Sequence, residues 1–317
     1  MSPRDAPPLR PHRSHPDNVS GHLFAAPWLI GFLCLMLFPM GASIFLSFTE
    51  WNGINISQIE WVGLENYRQA TQDENVWISL YNTAYYSFLA VPIGLAMALF
   101  LAVLLNQKLP GISIFRTIFY MPAVIGGVGT IMMWIWIFNP DFGILNIFLR
   151  GCADFLAMLR IIEPGWEPPL WLYDPRWSKP SLILMSLWGT GGAMLIFLAA
   201  LQNVSEELYE ASRIDGATRL RQFWHITVPQ ISPAIFFNLV MGVIGSFQVF
   251  DAAYIMTDGG PARSTLFYVL YLYNKAFLDF EMGYASALAW ILFVIIFAFT
   301  LLVIRSGKLW VYYEGER

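Results

Sequence analysis

The chain has 317 residues, of which 57% are hydrophobic and only 13% charged, with 25 Phe and 13 Trp. A soluble globule of this length cannot hide so much apolar surface, so composition excludes a water-soluble enzyme and places the chain in a bilayer. The net charge of −4 comes from groups scattered through loops, with no basic or acidic run of the kind a nucleic-acid partner would need.

In chain order, residues 1–21, rich in Pro, Arg, Ser and His, are expected to be a disordered cytoplasmic tail. They are not a cleaved signal, because the apolar stretch that follows is too long for a signal core and lacks a cleavage site. Six predicted membrane helices then cover roughly 22–49, 78–105, 116–138, 181–202, 232–256 and 284–304. Each reaches the roughly 20 residues needed to cross about 30 Å of hydrocarbon. The resulting transmembrane domain spans 22–305, and 306–317 forms a cytoplasmic tail. Within the second span, Asn82 is expected to make a polar helix-packing contact and Pro92 to kink the helix. Residues 50–77 and 139–180 are long connectors. In the second connector, 144–161 predicts an amphipathic helix, and Trp166, Trp171 and Trp177 suit an aromatic belt at the membrane surface or a landing platform. The small residues Gly189, Gly191, Gly192 and Ala193 permit close helix approach in the fourth span or line a path. Cys34 in the first span and Cys152 in an outer loop predict no disulfide.

Lys and Arg set the orientation. With the N-terminus inside, eleven of the 18 fall on the cytoplasmic side, among them Arg116, Arg213, Arg219 and Arg221.

Residues 205–229, SEELYEASRIDGATRLRQFWHITVP, interrupt two apolar spans with a charged, turn-containing segment. Ser205 is a predicted N-cap, and Glu206 and Glu207 stand where the helix dipole favours acids, so a short helix runs to about Ile214. Asp215-Gly216 breaks it. Thr218 caps a second short helix that Pro229 stops. So short a helical hairpin has little stability of its own and asks for a partner.

The spacing is specific. Glu210-Ala211-Ser212, then Gly216 after three residues, Ile226 after nine more, and Val228-Pro229 resemble the coupling motif of ABC importer permeases, Glu-Ala-Ala, Gly, Ile and Leu-Pro. Ser212 replaces the second Ala and Val228 replaces Leu. FRTIFYMPAVIGGVG at 115–129, LILMSLWGTGGAMLIFLAALQNV at 182–204 and FQVFDAAYIMTDGGP at 247–261 resemble the binding-protein-dependent, carbohydrate-uptake group of these permeases, so the likeness covers nearly the whole chain from about residue 22. It implies an all-α, six-helix type I importer permease of a bacterial or archaeal inner membrane, with both termini cytoplasmic. Implied partners are a second homologous permease, two ATP-binding subunits and an extracytoplasmic solute-binding protein. The implied cargo is a sugar, an oligosaccharide, or a polyol such as glycerol-3-phosphate. The resemblance assigns ATPase coupling to Glu210, Ala211, Ser212, Asp215, Gly216, Ala217 and Pro229.

No phosphate-binding G-x-x-x-x-G-K-[ST] loop occurs, so ATP hydrolysis belongs to a separate subunit. No cofactor or metal is expected: H-E-x-x-H is absent, and His12, His15, His22 and His225 lie away from the span centres. The alternative, a polytopic enzyme such as a lipid-linked glycosyltransferase, would gather acids at one wet site, whereas Asp141, Asp154 and Asp174 are scattered among loops. For a substrate path the fifth span stands out. Asp251 is the one acid placed in a membrane segment, and Ser246, Gln248 and Tyr254 accompany it. Two readings of Asp251 stand, cargo contact and a structural role near the helix end; Gln248 can equally bridge two helices.

Overall fold

A computed structural model describes residues 16–312 of the chain apart from Ile162 and Pro164. Its helices are, in order, α1 (Pro16–Phe32), α2 (Phe38–Leu46), α3 (Glu65–Gln72), α4 (Glu74–Leu105), α5 (Ile112–Ile125), α6 (Val128–Ile137), α7 (Ile144–Met158), α8 (Ser178–Trp188) and α9 (Gly191–Gln202). There follow α10 (Glu206–Ile214), α11 (Arg219–Gln222), α12 (Val228–Gln230), α13 (Ser232–Phe247), α14 (Asp251–Met256), α15 (Tyr268–Tyr273) and α16 (Met282–Trp310). The expected all-α fold gains one small antiparallel ladder, β1 (Thr49–Glu50) with β2 (Glu60–Trp61), paired Thr49 to Trp61 and Glu50 to Glu60. Buried Asn66 ties that ladder down by donating to the carbonyls of Ser47 and Thr49 at 3.0 and 2.9 Å.

Among the described residues, three stretches are long and apolar enough to cross a membrane unaided: Leu23–Leu46, Glu74–Leu105 and Met282–Trp310. The other three expected spans are bent pairs. The α5–α6 pair turns by 105°, α8–α9 by 48°, and Arg219–Gln230 with α13 by 66°, so the count reaches six only if each pair makes one crossing. Local chemistry accounts for the bends. Gly126-Gly127 separates α5 from α6, and Gly127 takes a positive φ of 85° that side chains disfavour. Gly189-Thr190 separates α8 from α9, and Pro233 sits in the first turn of α13 just past the break at Ile231. The fifth span is also shorter than expected. Its helix stops at Phe247, and α14 starts anew at Asp251. At the start of the chain α1 begins at Pro16, within the stretch read as a tail; residues 1–15 and 313–317 lie outside the described residues.

The pillar of the structure is α4, about 48 Å long at 1.5 Å per residue. Its small residues Ala98 and Ala102 are fully buried and let α9 and α13 approach through Met194, Phe197, Leu198, Leu201 and Ile231. Asn82 on α4 meets the polar contact expected of it, donating to the carbonyls of Arg263 and Leu266 at 2.8 and 3.1 Å. One end of the bundle gathers the chain around 106–116, the 205–231 segment and the end of α16. There Lys108 pairs with Glu206, and the amide of Tyr312 donates to the Ser232 hydroxyl at 2.8 Å. The opposite end gathers the ladder, the 138–180 connector and 257–284, where the amide of Gly283 donates to the Trp51 carbonyl at 3.2 Å.

Trp171 departs from its predicted surface role. It is 7% exposed, packs against Phe138 and Trp177, and donates from Nε1 to Asn146 Oδ1 at 2.6 Å. Trp166 and Trp177 are exposed, as a surface belt requires. The connector helix α7 forms within the predicted 144–161, and Cys34 and Cys152 are free.

Of the small residues expected to allow close approach, Gly191 does so. A Cβ there would stand 2.5 Å from the Phe119 carbonyl oxygen and 2.9 Å from Tyr120 Cα, whereas one at Gly192 would meet nothing within 4 Å. Gly191→Ala is therefore expected to cost about 1–3 kcal/mol through forced separation of α9 from α5. Gly192→Ala should be neutral or stabilise by about 0.5–1 kcal/mol. Thermal unfolding of the two purified variants checks this, and equal melting temperatures would refute the contact.

Candidate functional site

The 205–231 segment forms the hairpin that its caps predict. The Ser205 hydroxyl accepts from the Glu207 amide at 3.2 Å and opens α10, with Glu206 and Glu207 in the first turn. After Asp215 the chain reverses at Gly216, whose φ is 76°, and the Ala217 amide closes the turn on the Ser212 carbonyl at 2.9 Å. The Thr218 hydroxyl accepts from the Arg221 amide at 3.4 Å and starts α11. Pro229 does not end this second arm. A π-helical turn, Phe223–Thr227, carries the chain into α12, where Pro229 stands in the first turn because its missing N–H is not needed there.

Two side-chain bonds clasp the arms. The Tyr209 and Thr227 hydroxyls lie 2.8 Å apart, and Gln222 Nε2 donates to the Ser212 hydroxyl at 2.8 Å. Gln222 and Thr227 are buried, so these bonds are shielded from competing water. Ser212, one of the two departures from the family motif, thus turns inward and ties α10 to α11. The outer surface carries Glu210, Ala211, Asp215 and the exposed apolar side chains Leu208, Ile214, Leu220 and Trp224. Ile214, at the end of α10, is 87% exposed. At the base of the hairpin, Lys108 Nζ donates to Glu206 Oε1 at 2.6 Å. Hydrogen bonding and charge from Glu206 raise the lysine, and the same pairing holds the carboxyl of Glu206 low. Both groups are open to solvent, so the pair orients α10 more than it stabilises the fold.

A cleft of about 430 Å³ runs between α4, the α8–α9 pair and α13. Gly94, Gly242 and Gly245 open it, and Tyr86, Ser186, Thr190, Asn238 and Ser246 supply polar groups. Of the predicted path residues, Ser246 lines this cleft, with its hydroxyl also bonded to the Val243 carbonyl at 3.0 Å. Gln248 caps the end of α13 and is exposed. Asp251, expected within the fifth span, lies past the end of α13, at the exposed start of α14. Tyr254 is 41% exposed and stacks on Phe250, with Tyr273 completing an aromatic cluster. Tyr86, Ser186, Thr190 and Asn238 escaped sequence reasoning. The signal for two of them was the four-residue spacing of Ser186 and Thr190, which puts both hydroxyls on one face across the helix break.

A family model described as the binding-protein-dependent transport system inner membrane component matches residues 90–308. The chain is 43% identical over 304 residues to the probable ABC transporter permease protein YesP of Bacillus subtilis (strain 168), covering 95% of this chain and 94% of that one. The chain belongs to the binding-protein-dependent transport permease family. Against the lactose transport system permease protein LacF of Rhizobium radiobacter, the identity is 34% over 296 residues, or 92% of this permease and 95% of the relative. In fold, the permease matches a chain of a solved bacterial ABC transporter involved in alginate import, with a TM-score of 0.75 at 23% identity over 92% of this chain and 97% of that one. It is therefore a membrane-embedded transport component and not an enzyme.

The permease ties its helices together at the end opposite the hairpin through Asp73, the N-cap of α4. Asp73 accepts from the Asn75 amide at 2.9 Å, from the Tyr284 hydroxyl at 2.9 Å and from the Tyr271 hydroxyl, joining α4, α15 and α16. Lys275 stands beside this group in a second set of pairs, 3.1 Å from Asp279 and 3.3 Å from Glu281. Burial pushes the Asp73 carboxyl up, but the two phenols, the Asn75 amide and the Lys275 charge outweigh it, and the net shift is downward. Because the folded value lies below the unfolded one, this stabilisation is fully present above an ordinary carboxylate pKa of about 4 and is lost as pH falls through the folded value. Asp73→Asn should destabilise by about 1–2 kcal/mol, the lower part of the range for hydrogen bonds to a charge because the site is partly exposed. It should also flatten the loss of melting temperature on acidification below about pH 4. Unchanged melting temperatures at both neutral and acidic pH would refute the anchor.

Proposed function

We propose that this permease is one of two membrane subunits of an ATP-driven importer of sugars or oligosaccharides. In this reading the 205–229 hairpin faces the cytoplasm and docks on an ATP-binding subunit. The observation that carries it is a clasped hairpin whose outer face presents apolar and acidic groups left exposed by the rest of the described residues, at the position where the family motif falls. Glu210 meets a basic residue of the ATPase, Ala211, Asp215 and Ala217 pack at the contact, Gly216 sets the reversal, and Ser212 and Pro229 keep the two arms in register. ATP binding closes the ATPase dimer and drags the hairpin. Since α9 runs into α10 and α12 runs into α13, the movement reaches two of the helices that wall the cleft.

Six crossings, with each bent pair as one, give both termini the same side, and the Lys and Arg asymmetry supports the cytoplasmic one. A second homologous permease, a second ATP-binding subunit and an extracytoplasmic solute-binding protein complete the system. Relatives named for lactose and for arabinooligosaccharide transport favour a saccharide cargo over glycerol-3-phosphate or another polyol. Hydroxyl, amide and aromatic groups of the cleft suit sugar hydroxyls and ring faces. Ser246 contacts cargo within the cleft, and Gln248, Asp251 and Tyr254, close in sequence to the cleft-lining Val249, extend the path beyond it. Family membership sets the glycosyltransferase alternative aside.

Two experiments test this reading. Space is open around Gly216, so Gly216→Val acts through its positive φ, which strains the turn by about 1–2 kcal/mol. Together with Glu210→Lys, it should abolish cargo-stimulated ATP hydrolysis and uptake while leaving membrane insertion intact. Full uptake by both variants at normal expression would sink the docking model. In a variant without Cys34 and Cys152, cysteines at Asn55 and Asp174 should react with an impermeant thiol reagent applied to intact cells, and one at Thr218 should not. Labelling of Thr218→Cys from outside would reverse the orientation.

A further inference from the structure

Lys179, at the start of α8, is held without an acid. Its Nζ donates to Asn82 Oδ1 at 2.8 Å and lies 5.1 and 5.0 Å from the ring centroids of Tyr81 and Tyr85. Among the described residues no carboxylate comes within 4.0 Å of it; the ion pairs use Arg68, Lys108, Arg263 and Lys275. The position is preorganised. Asn82 is 2% exposed and its amide nitrogen is occupied by two carbonyls, so the amide oxygen has one orientation to offer. An ammonium carries three N–H donors, and Asn82 takes one. The helical repeat places this group with respect to the cleft. Lys179 precedes Ser186 by seven residues, two turns on one face of α8, and Asn82 precedes Tyr86 by four, one turn on α4. The lysine and its amide partner thus stand above the Tyr86 and Ser186 that line the cleft, toward the end of the bundle opposite the hairpin. Tyr81 is 64% exposed, which leaves ring surface free for the apolar face of a sugar.

We propose that Lys179, fixed by Asn82 beside the rings of Tyr81 and Tyr85, is a subsite for the carboxylate of an acidic saccharide entering the cleft. A neutral sugar has no need of an unpaired cation at this place, whereas a uronate supplies the missing counter-charge and accepts the two spare N–H groups as charge-assisted hydrogen bonds. The inference rests on the sugar-importer reading and narrows its cargo. An anionic lipid headgroup offers the same charge, so the test separates the two.

The complete importer, with its partner permease and ATP-binding subunits, is placed in nanodiscs of zwitterionic phosphatidylcholine and titrated with digalacturonate and with its neutral methyl ester. Wild-type protein should bind the acid about tenfold more tightly than the ester, with the gap closing as salt rises. Lys179→Gln, which keeps a hydrogen-bonding partner for Asn82, should remove the gap and leave ester binding unchanged. Lys179→Arg should retain most of it. Melting temperatures identify any variant that misfolds, and the salt dependence of the wild type decides the matter if one does. Equal binding of acid and ester, binding of neither, or an undiminished gap in Lys179→Gln would overturn the proposal. So would disappearance of the wild-type gap when phosphatidylglycerol is added, since that assigns the ammonium to a lipid. These results leave the importer reading intact if neutral-cargo-stimulated ATP hydrolysis is normal; failure of that reading shows instead at Gly216 and Glu210.

Discussion

In hydrocarbon every backbone amide and carbonyl must find a partner within the protein, at a cost of several kcal/mol for each that does not. That constraint governs where this chain is allowed to bend. The α8–α9 break is bridged by the Thr190 amide on the Leu187 carbonyl at 3.3 Å, and the entry to α13 by the Ile231 amide on the Thr227 carbonyl at 3.0 Å. Beyond the α5–α6 break, the Ile131 amide returns to the Gly127 carbonyl at 3.2 Å. The α8–α9 bend also lies against another helix and borders a cavity: Gly191 presses on α5, and Thr190 lines the cleft. By contrast α4 and α16 run without such a break, and Asp73 joins their ends through Tyr284.

The arrangement links two remote places by covalent continuity and not by a chain of soft contacts. One arm of the hairpin is an extension of α9 and the other an extension of α13, separated from their parent helices by short connectors. The clasp of Tyr209 with Thr227 and of Ser212 with Gln222 makes the arms move together. On the proposed docking role, a displacement at the tip would reach the cleft as a change in the separation or tilt of its walls. Small side chains at Gly94, Gly242 and Gly245 give those walls room to slide. At Gly242 that room is limited, since an added Cβ would approach Val91 to 3.1 Å.

The hairpin was legible in the sequence because its determinants are local. A capping serine, acids in the first turn, a glycine at the reversal and a capping threonine each act within four residues. The Pro229 stop failed for an equally local reason: proline is disfavoured within a helix but welcome in its first turn, and a π-helical turn had already reset the count. The fifth span was read as continuous because apolar composition persists through 248–256 while the backbone does not. The Asp73 anchor and the Lys179 position were invisible for a different reason. Their partners lie about one hundred to two hundred positions away along the chain, as with Asp73 and Tyr271. Trp171 shows the same limit, since nothing near it in sequence announces that Asn146 waits to accept its indole N–H.

The bare tip of the hairpin has a bearing on how the protein is made. Ile214, Leu220 and Trp224 keep 87%, 69% and 60% of their surface open in the isolated chain. In a copy without partners these side chains are left uncovered by the rest of the described chain, available to chaperones, to proteases and to other orphan copies. On the proposed docking role, the surface that meets the ATP-binding subunit also labels a copy that lacks one, which ties the lifetime of the subunit to the completeness of its assembly.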